Sequence, residues 1–290
     1  MKKAQLQDVE ALDIYKAFSK AELSSSKHIN YFPVYTDLFE KFRGTSITFV
    51  EIGVSSGGSL FMWRDYLGPQ ARIIGVEFNP LAKQLEKYDF EIYIGNQSDP
   101  GFWDTFFQTV GDVDIVLDDG GHTYEQQIAT AISCVPKIRD GGLLVVEDTH
   151  TSYMEGFGYP SKYTFISWIK NICDKVNYRF PLSAESQDPF GLSRKVWSIC
   201  FYESIVAMHI NAKRCLVNTP ILNNQRSLNL TDFRHADVKN ALGIFALQEQ
   251  PIYSDTKKTG ALNGLRRFVS KRAVRLMVLY RLYKTKRWFV

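Results

Sequence analysis

Residues 47–59 read Ile47-Thr-Phe-Val-Glu51-Ile-Gly53-Val-Ser55-Ser-Gly57-Gly-Ser59. A short apolar run stops at a glycine, and Leu60–Leu67 behind it is patterned as a helix. The first part reads as a buried strand, and the glycines as the sharp turn that joins strand to helix. Such a turn aims the helix N-terminus, with its free amide hydrogens, at whatever binds there. In dinucleotide-binding folds the spacing is GxGxxG and a pyrophosphate fills the turn. Here the spacing is the wider ExGxxxG.

That spacing suits a ligand without a pyrophosphate, whose carboxylate and amino groups need donors and acceptors. S-adenosylmethionine is such a ligand, with Glu51, Gly53, Ser55, Gly57 and Ser59 as candidate contacts. A turn that binds nothing is the alternative. The following strand, Arg72–Glu77, ends in an acid placed to accept hydrogen bonds from ribose hydroxyls. A solvated strand-end glutamate would look the same. A third strand, Glu91–Ile94, runs into Asn96 and Gln97, where side chains flank an adenine in this class of fold.

Further strands are expected at Asp114–Leu117 and Leu143–Val146, with helices at Phe102–Val110, Tyr124–Ile138 and Tyr163–Val176. Val196–Tyr202 and Ser204–Ile210 follow as strands with no helix between them, which suits an antiparallel hairpin at the sheet edge. Near-continuous apolar strands alternating with helices indicate an α/β protein with a sheet covered on both faces. The expectation is a Rossmann-like methyltransferase fold: seven strands, mostly parallel, the last antiparallel. Residues 1–45 read as a helical N-terminal cap, with helices over 8–22 and 31–43. Residues 46–210 read as an S-adenosylmethionine-binding catalytic domain. Residues 211–261 read as irregular decoration with a short helix near 236–249, and 262–290 as a basic amphipathic helical tail.

Composition narrows the class. At 45% hydrophobic, 290 residues suffice for a sizeable core. The four cysteines, Cys134, Cys173, Cys200 and Cys215, have no CxxC spacing, which argues against a zinc site or a disulfide framework. No run of about 18 apolar residues occurs, and the charged first residues do not resemble a secretory signal. A cytoplasmic protein is expected. The net charge of +4 hides an asymmetry: residues 264–290 carry nine Lys or Arg and no acid, leaving −5 for the rest. Nothing in that acidic body suggests a nucleic-acid groove.

Two strand tips carry the chemistry. The fourth strand ends in Asp118-Asp119-Gly-Gly-His122 and the fifth in Glu147-Asp148-Thr-His150. Neighbouring strands in such a sheet deliver both sets to one mouth. Acids packed together need a cation or protons to neutralise them, and carboxylates favour Mg²⁺, Mn²⁺ or Ca²⁺ over zinc. Asp119, Glu147 and Asp148 are the candidate metal ligands, with Asp119 also facing the cofactor. His122 is the candidate general base. The competing reading is structural: Asp118 or Asp119 capping the helix near Tyr124, and Asp148 bonding loop amides.

Taken together, three stretches resemble the macrocin and mycinamicin sugar O-methyltransferases, a family that includes cephalosporin hydroxylase-like proteins. They are Ile47 to Arg64, Ile115 to His122 with Gln126 and Gln127, and Val146 to Tyr153. The resemblance covers roughly Lys27 to Tyr178. It implies dependence on S-adenosylmethionine and Mg²⁺, metal carboxylates at Asp119, Glu147 and Asp148, a base at His122 and a ribose contact at Glu77. Asn96 stands where that family has aspartate, and the chain beyond about 180 is unfamiliar.

The implied acceptor is a hydroxylated sugar of a glycan, glycolipid or glycosylated natural product. A catechol-like phenol, or a noncatalytic cofactor-binding partner protein, is the alternative. His28, Tyr31 and Tyr35 either line the pocket or pack as an aromatic helix. Tyr153, Phe157 and Tyr159, interleaved with Gly156 and Gly158, suggest an acceptor lid or an ordinary loop. The basic tail fits either an anionic membrane surface at the inner face, beside a lipid-linked acceptor, or the acidic body and a homo-oligomer contact.

Overall fold

The computed structural model describes residues 8–158, 160–179, 188–215 and 222. The strands are β1 (Thr48–Ile52), β2 (Arg72–Glu77), β3 (Glu91–Ile94), β4 (Val113–Asp118), β5 (Ile138–Val146), β6 (Val196–Tyr202) and β7 (Ile205–Ile210). They form one sheet in the order β3-β2-β1-β4-β5-β7-β6. The first five pair in parallel, and β7 lies antiparallel to both β5 and β6. This is the Rossmann-like methyltransferase arrangement expected, including the edge hairpin.

Each face carries its own core. On one side lie α1 (Asp13–Lys20), α2 (Tyr31–Phe39) and α3 (Gly58–Leu67); on the other, α4 (Pro100–Val110), α5 (Tyr124–Cys134) and α6 (Phe165–Asn177). The rings of Tyr35, Phe39, Phe49 and Trp63 pack with centroids 4.9–6.1 Å apart. All four are buried, and each contributes about 1.5–3 kcal/mol by burial. The N-terminal cap is therefore part of the core.

Helix ends follow local chemistry. Asp99 accepts from the Gly101 amide, with Pro100 in the first turn of α4. Thr123 caps α5 in a reciprocal pair with Gln126, so neither Asp118 nor Asp119 performs that role. Thr123→Ala is expected to cost about 1 kcal/mol, read from chemical denaturation midpoints. Helix α5 stops at Cys134, short of Ile138, because Pro136 lacks the amide hydrogen the next turn needs.

Other boundaries also shift. The expected 8–22 helix breaks at Ala11 and Leu12, and α2 gives way to a 3-10 turn at Glu40–Phe42. A 3-10 segment at Pro80–Tyr88, capped by Asn79, had no counterpart in the sequence reading. Strand β5 begins at Ile138 rather than Leu143. No helix among the described residues is long and apolar enough to cross a membrane. The decoration beyond 215 other than Leu222, the basic tail and Tyr159 lie outside the described residues.

Candidate active site

Register sets the site. Ile52 pairs with Val76 on one side and Asp118 on the other, and Asp118 pairs with Val146. The next residues, Glu77, Gly53, Asp119 and Glu147, therefore stand in a row along one edge of the sheet. The ladder runs on into them, with the Asp119 amide donating to the Ile52 carbonyl and the Glu147 amide to the Asp118 carbonyl. Side chains alternate along a strand, so Asp118 points to the opposite face from Asp119. There it is buried and accepts from Gln97 Nε2 at 3.0 Å and the Gly120 amide at 3.1 Å. Burial pushes its carboxyl pKa up.

Gly53 is the close approach at the centre of this row. It has φ +83°, and a Cβ there would lie 2.2 Å from the Asp119 carbonyl oxygen. Only glycine lets the first loop meet the fourth. A cavity of ≈ 890 Å³ opens above them, a size that suits a drug-sized ligand. Gly53, Ser55, Glu77, Asn96, Gln97 and Asp119 line it. Glu77 is held in place by the amides of Ser55, Phe78 and Asn79 at 2.9–3.0 Å. Gln97 has its side-chain amide already engaged by Asp118, Thr130 and the Gly121 amide, so it shapes the turn.

Three expected cofactor contacts do not line that cavity. Glu51 shares the sheet face covered by α3, where it is fully buried. It accepts from Ser59 Oγ at 2.7 Å and Trp63 Nε1 at 3.2 Å, so Glu51 and Ser59 anchor the helix beneath the loop. Burial pushes the Glu51 carboxyl up to about 7, against the pull of Lys27. Gly57, at φ +85°, leaves room for Leu85, whose side chain a Cβ would meet at 2.5 Å.

A second cavity of ≈ 300 Å³ is lined by Ser26, Lys27, His28, Tyr31, Asp119, Glu147 and Asp148. Asp119 lines both cavities. Its Oδ2 accepts from Lys27 Nζ at 2.6 Å, and the same ammonium donates to Glu147 Oε2 at 2.9 Å. The other Glu147 oxygen accepts from Tyr35 Oη at 2.5 Å. Burial drives the Glu147 carboxyl up to about 8, opposed by Lys27. Burial also works against the Lys27 charge, but Glu147, Asp119 and Glu51 outweigh it and hold the ammonium well above its ordinary range.

Asp148 and His122 complete the group, both with left-handed backbones at φ +53° and +59°. Such conformations are uncommon for these residues and cluster at functional sites. His122 Nε2 lies 3.4 Å from Asp148 Oδ2 and 4.0 Å from Asp119 Oδ1. Its Nδ1 is buried without a hydrogen-bond partner among the described residues. Asp119, His122 and Asp148 place one ligand atom each within 4.8 Å of the others. Glu147, expected as a third metal carboxylate, is outside that group, and Tyr35 and Lys27 hold its oxygens. His28, Asp148 and His150 form a second such group, and His150 Nδ1 also meets Ser204 Oγ.

Tyr31 lines the smaller cavity, whereas Tyr35 lines neither. Their rings are buried in the α2 core while their hydroxyls reach Asp148 and Glu147. Phe157 sits edge-on to His122 at 6.2 Å, and Tyr124 Oη donates to the Ser152 and Gly158 carbonyls, tying that loop down. Tyr153 is exposed. Sequence reasoning gave no role to Lys27, a single lysine after Ser24-Ser-Ser26 with no spacing to mark it. Gln127 was noted only as a motif residue; its buried amide donates to the Glu147 carbonyl at 3.1 Å.

The fold is that of a Rossmann-like methyltransferase, and the methyltransferase-domain family model matches residues 50–149. Within that class the resemblance to the macrocin and mycinamicin sugar O-methyltransferases holds. The chain is 29% identical to 8-demethyl-8-(2-methoxy-alpha-L-rhamnosyl)-tetracenomycin-C 3'-O-methyltransferase of Streptomyces olivaceus, over 61% of this chain and 48% of that protein. It is 27% identical to mycinamicin VI 2''-O-methyltransferase of Micromonospora griseorubida, over 60% of this chain and 46% of that protein. The chain thus spans about half the length of the curated relatives it matches. Among solved structures, the MycE methyltransferase of the mycinamycin biosynthetic pathway, in complex with Mg and SAH, aligns with a TM-score of 0.61 at 24% identity. That alignment covers 69% of this chain and 54% of MycE.

Proposed function

We propose that this protein is an S-adenosylmethionine- and divalent-metal-dependent O-methyltransferase acting on a sugar hydroxyl. The observation that carries the reading is the position of Asp119, which lines the larger cavity and the carboxylate pocket alike. A donor in the first and an acceptor held at the second would meet beside His122. The similarity to enzymes named for methylating rhamnosyl and mycinamicin hydroxyls supports a sugar acceptor.

The residues present fit a hard cation. Asp119 Oδ1 and Asp148 Oδ2 accept no hydrogen bond among the described residues, and both face His122 Nε2. Two carboxylate oxygens suit Mg²⁺ or Mn²⁺. Asp119 and Asp148 would hold the ion, and Glu147 would join them only once Lys27 leaves its oxygen. The ion supplies Lewis acidity that makes a sugar hydroxyl easier to deprotonate. His122 Nε2 accepts the hydroxyl proton, and Asp148 stabilises the imidazolium that results. Glu77, Ser55 and Asn96 would hold the donor in the larger cavity, and transfer needs its sulfonium methyl in line with the acceptor oxygen. The methyl carbon–sulfur bond breaks as the carbon–oxygen bond forms, leaving S-adenosylhomocysteine and the methyl ether.

The test is methyl transfer from labelled S-adenosylmethionine to a panel of rhamnosylated and other deoxysugar glycosides, with and without EDTA. The expected result is a methylated glycoside whose formation stops on chelation and returns with Mg²⁺. Equal transfer in EDTA would remove the metal from the mechanism. Transfer to catechols alone would replace the acceptor class.

A further inference from the structure

Lys27 is the buried cation of the carboxylate pocket. Its side chain is 2% exposed, and Nζ lies 2.6 Å from Asp119 Oδ2, 2.9 Å from Glu147 Oε2 and 3.9 Å from Glu51 Oε1. Asp119 and Glu147 follow paired residues on neighbouring strands, so the gap between their carboxylates is the place where one ion would bridge two strand tips. The ammonium is in that gap.

We propose that Lys27 is a built-in competitor for the metal: its ammonium occupies the seat between Asp119 and Glu147, and a divalent ion binds there by displacing it. The inference rests on the metal-dependent reading of this pocket. A divalent ion bonds carboxylate oxygens at roughly 2.0–2.6 Å, depending on the metal. An ion bridging Asp119 Oδ2 and Glu147 Oε2 would therefore press against an ammonium already within hydrogen-bond range of both. Like charges that close in a buried site repel too strongly to share it. Displacement frees both oxygens and brings Glu147 into a set with Asp119 and Asp148. Three carboxylates then face one ion.

Until that exchange, the ammonium partners both carboxylates and offsets part of the cost of burying them. The side chain has somewhere to go, because Lys27 lines the ≈ 300 Å³ cavity beside it. The pocket is thus held together without metal at the cost of weaker metal binding.

The test uses the full chain with neither methyl donor nor acceptor. Free Mn²⁺ is measured by electron paramagnetic resonance for the wild type and Lys27→Met. The variant is expected to bind Mn²⁺ at least about tenfold more tightly, since no cation has to leave. Unchanged or weaker binding overturns the proposal. Should the variant not fold, lysine acylation of the wild type read by peptide mass spectrometry decides. Lys27 is expected to be protected without metal and labelled with saturating Mn²⁺; protection in both states overturns the proposal. Mn²⁺ binding by Lys27→Met alone overturns displacement in the wild type and removes the metal from its reaction. Binding by neither protein overturns both readings. Loss of methyl transfer with these metal results intact counts against the proposed reaction only.

Discussion

His122→Ala will lower methyl transfer by about 10²–10⁴-fold while leaving donor affinity nearly unchanged. His122 is absent from the lining of the ≈ 890 Å³ cavity, whose contacts come from Gly53, Ser55, Glu77 and Asn96. It instead faces Asp148 Oδ2 at 3.4 Å and packs against Phe157. Losing it removes a proton acceptor without disturbing the donor site. Calorimetric titration with S-adenosylhomocysteine, beside single-turnover methylation, separates the two effects. Retained turnover would sink His122 as the base. The variant must avoid strain at φ +59°, so His122→Asn serves as a control: asparagine tolerates that backbone but is not basic near neutral pH.

The second large effect is expected from Asp148→Asn. Asparagine is one of the few residues at ease with the φ +53° that Asp148 adopts, so the turn should survive. The side chain still accepts from Tyr31, but it presents a neutral oxygen where a cation needs charge. Mn²⁺ affinity should fall by at least about a hundredfold, with methyl transfer falling at sub-saturating metal and recovering partly at high concentration. Because Asp148 forms no ion pair with Lys27 among the described residues, this variant separates the outer carboxylate from the buried ion pair. Unaltered Mn²⁺ binding would mean that the ion, if bound, sits elsewhere.

Much of this was legible because it is local. The glycine spacing after Glu51, the acid closing Arg72–Glu77 and the paired motifs at Asp118–His122 and Glu147–His150 are each written within a few residues. Alternation of apolar strands with helices is periodic, so it predicted the sheet and its edge hairpin. Boundaries shifted where a single residue overrode the pattern, as Pro136 does at the end of α5. Which of two adjacent aspartates enters the site depends on the pleat, and so on where β4 begins and ends. Asp118 turns to Gln97 and Thr130, and Asp119 turns to the cavity.

By itself, then, the sequence determined the order of elements, the turn that admits a ligand, and the acids and histidine brought to one sheet edge. Only the tertiary structure placed Lys27 against Asp119, across 92 positions of sequence, and against Glu147, across 120. It also buried Glu51 beneath its own loop and set the Tyr31 and Tyr35 hydroxyls on Asp148 and Glu147. The reason is physical. A strand tip's neighbours follow from hydrogen-bond register, whereas a side chain arriving from a separate helical layer follows from packing and charge compensation, which no local spacing encodes.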